Sequence, residues 1–198
     1  MSCGPAIFHL IGFPGAGKFT VARHMARLQG AQEHRLVVVD NHYFNNTIFG
    51  VFDVDGIRPL DPRVWEHVRQ VRDAVLETIR DLSPPTWSFV FTNVLFAGDP
   101  GDEAAPERLA ALAAARGGPF VPVRLHCRVE ELARRVVSPE RKHRLKWVDS
   151  EGVQAVARSR ALIPLPYPHA LDLDITDLGP DVAARRILEH AAATGPST

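Results

Sequence analysis

At 198 residues with 45% hydrophobic side chains, the chain can bury a core of ordinary domain size, which argues against disorder. Its 23 lysines and arginines balance 23 aspartates and glutamates, so no global field recruits nucleic acid or an anionic membrane. Two cysteines, Cys3 and Cys127, lack metal-site spacing and predict free thiols in a reducing compartment. The first residues lack a basic leader and no later apolar run reaches spanning length, so the expected location is the cytoplasm.

The first apolar burst, 6-AIFHLI-11, predicts a strand, and His9 is its one polar member. Directly after it comes 11-IGFPGAGKFTVAR-23, with Gly12, Gly17 and Lys18 at the G-x-x-x-x-G-K spacing between a strand and a helix. Successive backbone N–H groups and a helix N-terminus can wrap a polyphosphate there, with the lysine on its outer phosphates, and the phosphate-binding candidates are Gly12, Pro14, Gly15, Ala16, Gly17, Lys18, Phe19 and Thr20. Gly15 adds a position free to adopt positive φ, Ala16 keeps the loop small, and Phe19 stands where a hydroxyl ordinarily meets magnesium.

The second burst, 36-LVVV-39, ends on Asp40, placing a carboxylate at a strand tip where open α/β sheets bind ligands. Behind it, 40–61 is polar and rich in turn residues, and is expected to be a long functional loop. It carries Asn41, His42, Asn45, Asn46, Asp53, Asp55 and Arg58, with Arg63 just beyond. The stretch 62–82 repeats apolar residues at three and four (Val64, Trp65, Val68, Val71, Val75, Leu76, Ile79, Leu82) and predicts a helix. Asp61 is its expected N-cap, and Pro62 its first turn.

A third burst, 87-WSFVF-91, ends in Thr92-Asn93, so the carboxylate that commonly orders magnesium on that strand is absent; Asn93 is a candidate for acceptor or metal-bound water. An alanine-rich helix over 102–116 stops at Gly117-Gly118. The fourth strand is 120-FVPVRLHC-127, a helix follows over 129–137, the fifth strand is 171-LDLDI-175, and a helix closes over 180–193. Between them lies 138-SPERKHRLKWVDSEG-152, where five of the six residues 141–146 are basic or histidine. Three readings of that segment compete: a solvated charged face, a nucleic-acid patch, or a lid whose Arg141 and Arg144 close on a transferring phosphoryl group. Strands alternating with helices predict a three-layer α/β fold with a five-stranded parallel sheet, helices on both faces and a short lid.

The string G-x-P-G-x-G-K-x-T resembles the phosphate loop of adenylate kinases, in which the position of Phe19 carries no hydroxyl. By that resemblance magnesium is held largely through water and phosphate, and Thr20 serves the inner phosphates. The region from Asp40 through 56-GIRPLDPRVW-65 is similar to the acceptor region of gluconate and shikimate kinases and of chloramphenicol phosphotransferase. The resemblance implies a single P-loop kinase-like domain over 1–198, with an acceptor segment near 40–65 and a lid near 138–152. It implies ATP and Mg²⁺ as cofactors and a small hydroxylated metabolite or antibiotic as acceptor. Lys18, Asp40, Arg141 and Arg144 are then the catalytic candidates, with Asp40 as base or as holder of metal-bound water beside Thr20. Acceptor-binding candidates are Asp40, His42, Asn45, Arg58, Arg63 and Asn93, without a choice between the two arginines. The loop after the fifth strand is assigned to the adenine by the same resemblance. A nucleotide-binding accessory protein without transfer chemistry and a kinase of polynucleotide ends remain alternatives.

Overall fold

The structure is a computed structural model that describes residues 5–30, 34–51, 61–138 and 147–194. Among these residues, five strands pair in parallel in the order β2-β3-β1-β4-β5. They are β1 (Ile7–Ile11), β2 (Leu36–Asp40), β3 (Ser88–Asn93), β4 (Phe120–His126) and β5 (Leu171–Asp174). The helices are α1 (Lys18–Gln29), α2 (Asn41–Phe49), α3 (Arg63–Leu82), α4 (Pro100–Ala115), α5 (Val129–Val136), α6 (Ser150–Ser159) and α7 (Pro180–Ala193).

Side chains alternate across a strand, and here both faces of the sheet are covered. Phe8 and Leu10 of β1 join Met25 of α1, Leu132 of α5, Val153 of α6 and Ile187 of α7 in one core. Ile7 points the other way, into a core with Phe44 of α2, Val68 of α3 and Leu109 of α4. That double coverage explains why β1 is buried at every position and reads as an apolar run interrupted only by His9. The chain leaves β1 towards the α1 face and leaves the adjacent β3 towards the α4 face. The carboxyl ends of these two strands therefore flank a topological switch point, where such sheets bind ligands.

Three expectations are corrected. Residues 41–49, read as part of a loop, form α2, and Asp40 is its N-cap: the Asp40 carboxylate accepts from the His42 N–H at 3.0 Å. In α3, the apolar repeat overstates the buried face, because Trp65 and Leu82 are exposed while Val64, Val68 and Ile79 are buried. The helix begins at Arg63 with Pro62, not the expected Asp61, as its N-cap and without a side-chain cap; Asp61, one residue further out, accepts from the Arg63 N–H at 2.9 Å. Its far end is closed by Arg116, whose guanidinium donates to the carbonyls of Ile79 (2.6 Å), Pro84 (2.7 Å) and Trp87 (3.1 Å). A guanidinium thus satisfies one carbonyl of the helix end, that of Ile79, and two of the loop that follows.

Candidate active site

Between β1 and α1 the chain makes the glycine loop expected from its spacing. Gly15 (φ 90°) and Gly17 (φ 71°) occupy the left-handed region that side chains avoid, and a Cβ on Gly15 would lie 2.7 Å from the Leu132 carbonyl oxygen. Gly17 is the N-cap of α1 and supplies no side-chain cap, so the first-turn N–H groups face the loop mouth. Lys18 Nζ donates to the carbonyls of Gly12 (2.6 Å) and Phe13 (3.0 Å), which holds the ammonium over the same mouth. Phe19 is partly buried with the Arg23 guanidinium 5.9 Å from its ring centre, and Thr20 is exposed.

Asp40 lies at the tip of β2, opposite Thr92 of β3, and is only 2% exposed. Beyond the cap bond, His42 Nδ1 stands 3.1 Å from the same carboxylate oxygen. Asn45, on the inner face of α2, is buried. Asn93 ends β3 and joins three elements. Its carbonyl accepts from the Gly12 N–H of the glycine loop (3.3 Å), and its side-chain oxygen meets His9 Nε2 (2.9 Å). Its amide nitrogen donates to Asn41 Oδ1 at the start of α2 (3.1 Å). The structure therefore brings the loop, Asp40, His42 and Asn93 to one end of the sheet. Arg63 sits at the start of α3 with its guanidinium on Asp61 (2.6 Å) and most of its side chain in solvent. Arg58, Arg141 and Arg144 lie outside the described residues, as do Asp53 and Asp55.

Before the expected lid, Arg134 and Arg135 share one carboxylate, Glu131, at 2.6 Å, which offsets half of their charge. The loop after β5 is tied to the start of α5: Arg128 pairs with Asp177 at 2.9 Å and its N–H donates to the Thr176 hydroxyl at 3.0 Å. Arg160 escaped the sequence reading. Its guanidinium lies 4.1 Å from the centre of the Phe96 ring, which in turn sits 6.0 Å from Phe13 of the glycine loop.

His9 was visible as the one polar member of its strand, but nothing local gave it a partner or a role. It is fully buried, and burial pulls its pKa from 6.5 down to about 4, the Asn93 bond opposing the shift only in part. The imidazole is therefore neutral, with the proton on Nε2 facing Asn93 Oδ1. A depressed histidine pKa means that the unfolded chain binds a proton the folded chain refuses between about pH 6.5 and 4. Stability then rises with pH through that window and falls on acidification. We expect His9 to cost about 3 kcal/mol by pH 4, a loss that His9→Gln removes. Urea unfolding of parent and variant at pH 7 and pH 4 measures it, and equal pH slopes contradict it.

No protein-family model and no curated protein matches the chain in sequence. Solved structures do match in shape. A protein from Chloroflexus aurantiacus proposed to be a kinase superposes with a TM-score of 0.67 at 17% identity, over 98% of this chain and 100% of that one. A gluconokinase from Sinorhizobium meliloti gives 0.59 at 15% identity, over 98% and 95%. The APS kinase of Mycobacterium tuberculosis, solved with AMPPNP and APS, gives 0.58 at 15% identity, over 96% and 98%. The five-stranded parallel sheet with helices on both faces is the fold of the P-loop kinases.

Proposed function

We propose that the protein is an ATP-dependent phosphotransferase that moves the γ-phosphate of ATP·Mg²⁺ onto a hydroxyl of a small molecule. The observation that carries this reading is Asn93, which bonds the glycine loop through its backbone and the start of α2, next to Asp40, through its amide. A nucleophile-side carboxylate and a phosphate-binding loop thus share one rigid frame.

In this reading Lys18 leaves the loop carbonyls for the β- and γ-oxygens, and the N–H groups of Gly15 and of Gly17 to Thr20 bind the remaining phosphate oxygens, that of Ala16 being held by the Phe13 carbonyl at 3.1 Å. Magnesium, when bound, offsets charge on the triphosphate. The donors here fit a metal held mainly by phosphate and water: among the described residues no cluster of three His, Cys, Asp or Glu surrounds the loop. Thr20 and Asp40 are the residues that would reach metal-bound water. Asp40 takes the proton of the acceptor hydroxyl as its oxygen bonds to the γ-phosphorus and the bond to the β-bridging oxygen breaks, releasing ADP. His42 holds the carboxylate in place, and the basic lid with Arg141 and Arg144 supplies closing charge. Among the described residues, no helix is long and apolar enough to cross a membrane.

Phe19 supplies no hydroxyl, so Phe19→Ser should leave ATP·Mg²⁺ affinity nearly unchanged while altering the preference between magnesium and manganese. Calorimetric titration with each ion reads this, and loss of all nucleotide binding contradicts it by showing that the ring is structural. A panel of sugars, nucleosides and aminocyclitols scored for acceptor-dependent ADP release tests the function as a whole. Release that depends on one hydroxylated compound supports it, and release indifferent to every acceptor counts against it.

A further inference from the structure

Asn93 stands where a third-strand carboxylate commonly orders magnesium, and its amide has two ends of opposite chemistry. Which end faces the site is set from behind, by His9. The Asn93 oxygen meets His9 Nε2 at 2.9 Å, and its nitrogen meets Asn41 Oδ1 at 3.1 Å. Burial keeps the imidazole neutral, so it has one proton to place. Turning the amide over would bring its nitrogen to His9, which requires that proton to move to Nδ1.

A crevice of about 20 Å³ beside the imidazole opposes the move, and it is large enough for one water molecule. Two polar atoms of the residues that line it are buried without a hydrogen-bond partner, His9 Nδ1 and Arg72 Nε. Asp73 Oδ1 stands 4.0 Å from Arg72 Nε, beyond hydrogen-bond reach, and lines the neighbouring groove. One water serves both atoms, accepting from Arg72 Nε–H and donating to Nδ1. With the proton on Nδ1 the same water would face two donors. Arg72 and Arg108 line the crevice, and among its described lining residues no carboxylate could take the water's own protons.

The tautomer decides what Asn93 presents. Nε2–H donates to the amide oxygen, which is thereby committed, and one proton of the amide nitrogen goes to Asn41. Among the described residues the second proton has no protein acceptor, and Asn93 is only partly buried at the end of β3. The Asn93 carbonyl accepts from the Gly12 N–H, and its neighbour Thr92 lies opposite Asp40, so the residue stands between the glycine loop and the carboxylate.

We propose that Asn93 is a further catalytic residue, donating its second amide N–H to an oxygen of the transferring phosphoryl group. His9, backed by one buried water, is the positioning residue that keeps the amide oxygen turned away from the site. The proposal rests on the phosphotransferase reading. A phosphoryl group in transfer carries charge on its outer oxygens, and one donor aimed at developing charge commonly contributes about 10²–10³ in rate. Asn93 is then no holder of metal-bound water, because such water donates protons and needs the oxygen that His9 already occupies.

The test needs no acceptor. The ¹⁵N spectrum of His9 at pH 7 reads the tautomer, and we expect the proton on Nε2. Calorimetry with AMPPNP·Mg²⁺ and with ADP·Mg²⁺ reads the donor, because only the first offers a γ-phosphoryl group. Asn93→Asp is nearly isosteric and puts an anion in place of the donor. It should weaken AMPPNP·Mg²⁺ at least about tenfold with ADP·Mg²⁺ near parental. His9→Leu releases the amide and should weaken AMPPNP·Mg²⁺ about three- to tenfold, most of which His9→Gln recovers by keeping a donor towards Asn93. That recovery separates orientation from packing. A proton on Nδ1, AMPPNP·Mg²⁺ bound by Asn93→Asp as tightly as by the parent or tighter, parental affinity in His9→Leu, or a loss that His9→Gln does not recover would each overturn the proposal. Should His9→Leu fold poorly, the tautomer and Asn93→Asp decide it. Binding as expected, with no compound of the acceptor panel taking phosphate from ATP·Mg²⁺, supports the contact and counts against the transferase reading.

Discussion

Asp40→Asn should leave ATP·Mg²⁺ affinity nearly unchanged and cut acceptor-dependent turnover by about 10²–10⁴-fold, the range of a lost general base. The substitution is clean because of the cap geometry. Asp40 Oδ1 accepts from the His42 N–H, and an asparagine oxygen makes the same bond at an N-cap. The helix α2 therefore persists, the side-chain volume is conserved, and what disappears is the negative charge that takes a proton. Asp40→Ala differs in kind, since it also removes the cap and destabilises the fold by about 1 kcal/mol. Turnover of the asparagine variant with its parental melting temperature separates chemistry from folding. If ATP·Mg²⁺ affinity falls together with turnover, Asp40 holds metal-bound water. Near-parental turnover refutes both roles and moves the search to His42.

Lys18→Ala should weaken ATP·Mg²⁺ binding by about 10- to 100-fold, the loss of one or two charge-assisted hydrogen bonds to phosphate oxygens. The ammonium lies over the loop mouth on two carbonyls, Gly12 and Phe13, and its four-carbon stem lets it swing from them to phosphate. Because those bonds also steady the loop, Lys18→Met, which keeps much of the stem, is the paired variant. Both should lose affinity while the melting temperature moves little. Parental affinity in both would contradict the assignment of the loop.

Parts of this site were legible because their signals are local. Glycines at fixed offsets from Lys18 dictate a loop whose N–H groups converge, and the observed positive φ at Gly15 and Gly17 is what those residues permit. Asp40 was legible as the polar end of an apolar run. The helix behind it was not, since 41-NHYFNNTIF-49 is built of poor helix formers, asparagines and β-branched or aromatic residues. It stands because Asp40 caps it and because Phe44 and Phe49 bury themselves against α3 and the sheet. Tertiary packing overrode propensity there. The role of His9 was illegible for a different reason: its partner Asn93 is 84 residues away, and nothing near either residue announces the pair. The same distance hides the crevice, whose walls come from β1, α2, α3, β3 and α4.

The central claim is that phosphate leaves ATP for a hydroxyl positioned at Asp40. Its most direct test is ATP labelled with ³²P at the γ-position, incubated with magnesium and a hydroxylated acceptor, first with the parent and then with Asp40→Asn. The account predicts label in an acceptor phosphoester at one per ADP formed by the parent, and at least about a hundredfold slower labelling by the variant. Label released only as inorganic phosphate across the whole acceptor panel, or transferred equally fast by the variant, would contradict it.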